Sequence, residues 1–119
     1  MTDLIDRPAV VLRIGKKWHP EMDLDEVYDT VRGWWLIGPK REQCEYAIAV
    51  ARGTVRGVYQ IHSWRPRQEG DRDWQDDLPG KPRWGFDGAP APDLLHLVGS
   101  DVSHLFTKGA ANPVTYLNC

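Results

Sequence analysis

The sequence predicts an α+β domain: a small, partly closed β-barrel of five or six short strands, with two or three short helices at its side. Three observations carry that expectation. Short apolar or alternating runs recur between Gly- and Pro-rich turns, the pattern of short strands. One stretch, "DLDEVYDTVRG", joins helical spacing to a helix start signal. A length of 119 residues suits one hydrophobic core, so residues 1–119 are read as a single domain.

The elements follow in chain order. Residues 1–8, "MTDLIDRP", are polar and expected to be flexible. "AVVLRIG" (9–15) is an apolar run ending in glycine, and reads as a strand. "KKWHPEM" (16–22) is a loop. In "DLDEVYDTVRG" (23–33), Asp23 and Glu26 fit a D-x-x-E capping box. Leu24, Val27, Tyr28 and Val31 recur at helical spacing. Gly33 stands where a left-handed helix cap is expected. "WWLIG" (34–38) reads as a second strand, and "PKREQC" (39–44) as a single turn opened by proline.

"EYAIAVA" (45–51) alternates Tyr46, Ile48 and Val50 with three alanines. Both faces are apolar, so it reads as a central strand pressed closely on one side. "RGTVRG" (52–57) is a hairpin turn. "TVRGVYQIHSW" (54–64) returns as a strand, with Val55, Tyr59 and Ile61 on one side. Gly57 inside it points to a bulge. "RPRQEGDRDWQDDLPGKP" (65–82) is a long polar loop, of a length that is functional or disordered. "RWGFDG" (83–88) resumes as a strand. "APAPDLLHLVG" (89–99) gives a short helix capped by Asp93 and ending at Gly99. "KGAANP" (108–113) is a turn-rich loop. "VTYLNC" (114–119) is a last strand, with Val114, Tyr116 and Asn118 on one face.

Charge and motifs narrow the function classes. The net charge of -2 and pI near 6.0 argue against holding long duplexes by charge alone. Cys44 and Cys119 form no disulfide framework and no C-x-x-C motif. They read as free thiols in a reducing compartment. No apolar run reaches the ~18 residues of a membrane span, and residues 1–10 are too polar for a signal peptide. The reading is cytoplasmic, with no membrane. His19, His62, His96 and His104 lack ligand spacing, and no nucleophile elbow, P-loop or dinucleotide fingerprint is present. No catalytic residue, metal or cofactor is therefore assigned. Asp71, Asp73, Asp76 and Asp77 read as a solvated acidic loop.

Six tryptophans are many for this length, and two of them, Trp34 and Trp35, are adjacent. Indole serves cores and binding sites alike. In a strand, neighbours point to opposite faces, so one ring would pack and the other would be left for a different task.

The element order and several motifs resemble the PUA-like superfamily of small β-barrels, which includes PUA, ASCH, EVE and YTH domains. The nearest pattern is the YTH and EVE branch. "DEVYDTVRGWWLIG" resembles its helix running through glycine into a tryptophan-bearing strand. "AIAVARGTVRGVYQIHSW" resembles its central hairpin, and "RWGFDGAPAPDLLHL" its later strand and short leucine-rich helix. "NPVTYLNC" is similar to its final segment. The likeness covers roughly residues 16–119 and is one of order and sparse motifs. "RGWW", "RWGF" and "KGAANP" also resemble a bacterial family of stand-alone domains, which supplies no function.

The resemblance implies a PUA-like fold and a module that binds nucleic acid or a nucleotide. Its partner would be a modified base held between tryptophan walls. Position by position, Trp35 matches the cage tryptophan, which leaves Trp34 to packing. Trp64 and Trp74 are both candidates for a second wall, and spacing does not choose between them. Leu36 and Ile37 depart from the small polar residues usual after the cage tryptophan. Aromatic walls return about 1–3 kcal/mol per stacked base. Asn112 and Thr115 have donors and acceptors suited to a base edge, although Asn112 before Pro113 is also an ordinary turn residue. Lys108, Arg52, Arg56, Arg65 and Arg67 are the candidate phosphate partners, as local patches on an acidic chain. Some ASCH relatives are hydrolases, so the resemblance also admits a small enzyme acting on a nucleoside-like molecule, with Lys108 beside Thr107. A protein-interaction module using exposed tryptophans is a third reading.

Overall fold

The computed structural model describes residues 4–71, 82–106 and 113–119. Five strands make one mixed sheet: β1 (Ala9–Arg13), β2 (Tyr46–Ala51), β3 (Thr54–Pro66), β4 (Trp84–Pro90) and β5 (Val114–Leu117). Their spatial order is β4-β3-β2-β1-β5. β1 and β2 run parallel, with Ala9 opposite Tyr46, and the other neighbours are antiparallel. Parallel neighbours need a long crossover, and the helix α1 (Leu24–Val31) lies within it. Short 3₁₀ turns at Gly15–Lys17, Pro39–Gln43, Pro92–Leu97 and Ser103–Leu105 complete the described elements.

The sheet is open. Closing a barrel requires a ladder between the outermost strands. β5 is four residues long and pairs with β1 alone, so among the described residues it offers β4 no partner. The expected partial barrel is therefore corrected to a five-stranded sheet covered on both faces.

That covering explains β2, whose six residues are all buried. Ala47, Ala49 and Ala51 pack toward Val27 and Val31 of α1, together with Val10, Leu12 and Tyr59. Small side chains let the helix approach closely. Tyr46, Ile48 and Val50 pack on the other face with Val11, Val55, Val58, Leu97 and Val102. Ile5 joins that second cluster at 6% exposure.

Helix α1 starts as the sequence dictates. Asp23 accepts from the Glu26 amide at 2.9 Å, and the Glu26 carboxylate accepts in return from the Asp23 amide. Its inner face is pinned by tyrosines. The Tyr59 hydroxyl donates to the Leu24 carbonyl at 2.7 Å, and the Tyr28 hydroxyl accepts from the Gly88 amide at 3.0 Å. The helix end differs from expectation, because Gly33 is absent from the left-handed residues. Instead β4 takes the free carbonyl: the Phe86 amide donates to Arg32 O at 2.8 Å. Gly33 lies close to β4: a Cβ there would make an ordinary contact, 3.6 Å from the Gly85 Cα.

The β2–β3 hairpin turns on Arg52 (φ 54) and Gly53 (φ 72), the two left-handed residues of a type I′ turn. The expected bulge lies beside Gly57. Ala49 faces Gly57 but Val50 faces Val55, so Arg56 is the extra residue. An extra residue inverts the alternation beyond it. Val55 consequently faces one cluster while Tyr59 and Ile61 face the other, correcting the single side expected for all three. Two boundaries also move. β3 extends to Pro66, into the stretch read as loop, and the segment after β4 is a 3₁₀ turn whose N-cap is Ala91, not Asp93.

Candidate functional site

"WWLIG" does not form a strand. Trp35 alone makes an isolated bridge with Trp84 at the start of β4. Each backbone amide donates to the other's carbonyl at 2.8 Å. The Trp35 indole Nε1 donates to the Val31 carbonyl at 2.7 Å, satisfying one of the last carbonyls of α1. Its ring packs against the core cluster beneath α1. Trp84 is braced in turn by the Arg41 guanidinium, 3.4 Å from its ring centroid.

Trp34 belongs to neither core cluster. Its indole lies over Gly85, where a Cβ would come within 2.7 Å of the ring. The Arg65 guanidinium sits 4.8 Å from its centroid. Trp35, the ring expected at the pocket, is anchored to α1 and also lines a cavity, while Trp34, expected to pack, stands between two cavities. The segment is not a regular strand, so strand alternation does not set the faces of the two rings.

Two cavities flank Trp34. The first, of about 240 Å³, is lined by Asp29, Asp71 and Asp87 with Arg32 and Arg65, beside Trp34 and Phe86. Its charges are largely matched internally. Arg65 holds Asp71 through two bonds of 2.8 and 2.9 Å, and Arg32 reaches Asp87 at 3.5 Å. The Arg65 bonds, with the Gln68 amide, bring the Asp71 carboxyl down to about 2. This cavity offers little to an added anion.

The second cavity, of about 430 Å³, has a different lining. Trp34 and Trp35 contribute indole surface, with Ile14 and Leu36 as apolar neighbours. Arg13, Lys17 and Arg83 bring positive charge, Thr30 adds a hydroxyl, and among the described residues no carboxylate lines it. Leu36 is 60% exposed at its rim. The volume is in the usual range for small-molecule sites. Aromatic faces beside cations suit a flat, anionic ligand.

The residues proposed from sequence are dispersed. Trp35 lines the second cavity, and Arg65 the first. Trp64 packs against Phe86 with centroids 5.2 Å apart and ring planes tilted by 59°, and lines a separate groove with Glu42, Cys44 and Glu45. Thr115 of β5 pairs with Val11 of β1, on the opposite face from Val114 and Tyr116. Arg52 and Arg56 lie over Trp18, at 5.4 and 3.7 Å from its centroid. Burial and the neighbouring Arg52 lower the Arg56 pKa. The Arg67 amide donates to the Arg83 carbonyl at 2.7 Å. Trp74, Lys108 and Asn112 lie outside the described residues, as do Asp73, Asp76, Asp77 and Thr107.

Sequence reasoning missed Trp34, Arg13, Lys17, Thr30 and Arg83 as a group. No signal in the sequence joins these residues, which come from separate segments. Their pairing is tertiary and was not deducible from spacing. Among the described residues no three His, Cys, Asp or Glu side chains cluster to hold a metal, and no helix is long and apolar enough to cross a membrane. Comparison with protein-family models, curated proteins and solved structures finds no match.

Proposed function

We propose that this domain binds a nucleotide or a short nucleic-acid segment, holding one base against Trp34 and Trp35. The observation that carries the reading is the second cavity. Two indoles and three cationic side chains line it, and no carboxylate does among the described residues. A base would stack on indole, and its phosphate would meet Arg13, Lys17 or Arg83. Ile14 and Leu36 give a methyl group apolar contact, which favours a modified base. The resemblance to YTH and EVE domains points to the same ligand class. Catalysis is not part of the proposal.

Calorimetric titration with nucleoside monophosphates and four-base oligonucleotides, each with and without base methylation, tests it. Binding should weaken with salt as phosphate contacts are screened. Substitution of Arg83 by Ala should reduce affinity and the salt slope together. Heat-silent titrations with every probe, in low salt, would remove the proposal.

A further inference from the structure

The cysteines lie far apart in sequence, yet their sulfurs share a hydrogen bond at 3.5 Å. Cys44 follows the Pro39–Gln43 turn and is buried; Cys119 follows β5 and is half-buried. The fold sets this meeting. Asn118, left-handed at φ 63, donates from its side-chain amide to the Ile5 carbonyl at 2.8 Å and the Arg7 carbonyl at 3.0 Å. That clamp fixes the backbone next to Cys119. The Cys119 thiol also lies 3.8 Å from the Ala9 carbonyl, and the Cys44 thiol 3.7 Å from the Lys40 carbonyl.

We infer that Cys44 and Cys119 are a dithiol site that a hydroperoxide converts to a reversible intramolecular disulfide. Bond formation needs the sulfurs to approach to about 2.05 Å, an inward step of roughly 1.5 Å for groups already in contact. The inference is independent of the base-binding reading.

The more exposed sulfur meets the oxidant. Cys119, as thiolate, attacks one peroxide oxygen; the O–O bond breaks, and the departing hydroxide takes up the thiol's proton as water. The product is a sulfenic acid. The Cys44 sulfur then attacks the Cys119 sulfur. The S–O bond breaks, and hydroxide leaves with the Cys44 proton as a second water. Two thiols are oxidised by two electrons, and one hydrogen peroxide becomes two waters. Burial and the Cys119 bond push the Cys44 thiol up to about 12, so it waits as a protonated resolving group. The disulfide ties the edge strand β5 to the turn that carries Arg41.

The test treats the native protein with hydrogen peroxide, quenches it with an alkylating agent, and measures intact mass and melting temperature. The expected result is a loss of about 2 Da, a peptide pair linking residues 44 and 119, and a Tm several degrees higher. Dithiothreitol should reverse all three. Cys119→Ser, a small change at a partly exposed position, should show neither the mass loss nor the Tm rise. Native protein that only gains oxygen, links only between chains, or keeps two alkylatable thiols overturns the inference.

Discussion

Gly85 is the floor beneath Trp34, and replacing it with alanine tests the geometry of the site directly. A Cβ at this position would meet the Trp34 ring at 2.7 and 2.9 Å and the Arg32 carbonyl oxygen at 2.9 Å. Ordinary contact begins near 3.4 Å, so each overlap is about half an ångström or more. The indole can tip, but the carbonyl is less free, because the Phe86 amide holds it at 2.8 Å. Such overpacking costs about 1–3 kcal/mol. For 119 residues the unfolding entropy near 60 °C is about 0.25 kcal/mol/K, so Gly85→Ala should lower Tm by about 4–12 °C. If the ring tips, part of its stacking is lost as well. A stacked base contributes about 1–3 kcal/mol, so nucleotide affinity should fall by roughly 5- to 150-fold. Differential scanning calorimetry and isothermal titration read the two effects separately. A variant with unchanged Tm and unchanged affinity refutes the placement of Trp34 over Gly85. A variant that only melts earlier keeps the packing and refutes the role of the ring.

Other perturbations separate the remaining contacts. Trp35→Ala should destabilise by about 3 kcal/mol, through lost packing and the lost bond to Val31, whereas Trp34→Ala should lower affinity more than Tm; equal urea midpoints for the two would contradict this. Tyr59→Phe removes only the donor to the Leu24 carbonyl and should cost about 1 kcal/mol in urea denaturation. Stability should fall as pH rises above about 9, where an ordinary thiol ionises, up to about 12 for Cys44. The folded chain keeps a proton there that the unfolded chain releases, so each such group steepens the loss by about 1.4 kcal/mol per pH unit. Burial raises the Tyr59 phenol in the same sense. Denaturation curves from pH 8 to 11 check the sign; a rising midpoint would be the wrong one.

What the sequence disclosed and what it hid follow from the range of each interaction. The capping box of Asp23 and Glu26 is local, and it forms as expected. The two apolar faces of β2 are written in its alternation, and both are buried. The bulge was legible in Gly57, but its effect on Val55 depends on which residue opposes which, and that belongs to the pair of strands. The placement of the tryptophan doublet was hidden for the same reason. Strand alternation assumes a strand, and Trp35 has only one bridge, to a residue far along the chain. Barrel closure depended on the length of β5 and on its partner, neither of which periodicity records. The candidate cavity joins residues 13, 17, 30, 34, 35 and 83 from separate segments, so its charge was invisible in any one window.

The parallel pairing of β1 with β2 sets an order on folding. The β2–β3 hairpin closes across two residues, so it can form within microseconds. β1 cannot join it until the chain has looped back from Ala9 to Tyr46, and β5 must wait for β1, its partner in the sheet. Loop closure of that kind is entropically slow, which places folding toward the millisecond-to-second range of non-local topologies. Until β1 arrives, the apolar edge of β2 is bare, and in that interval the chain is most exposed to pairing with a second copy of itself.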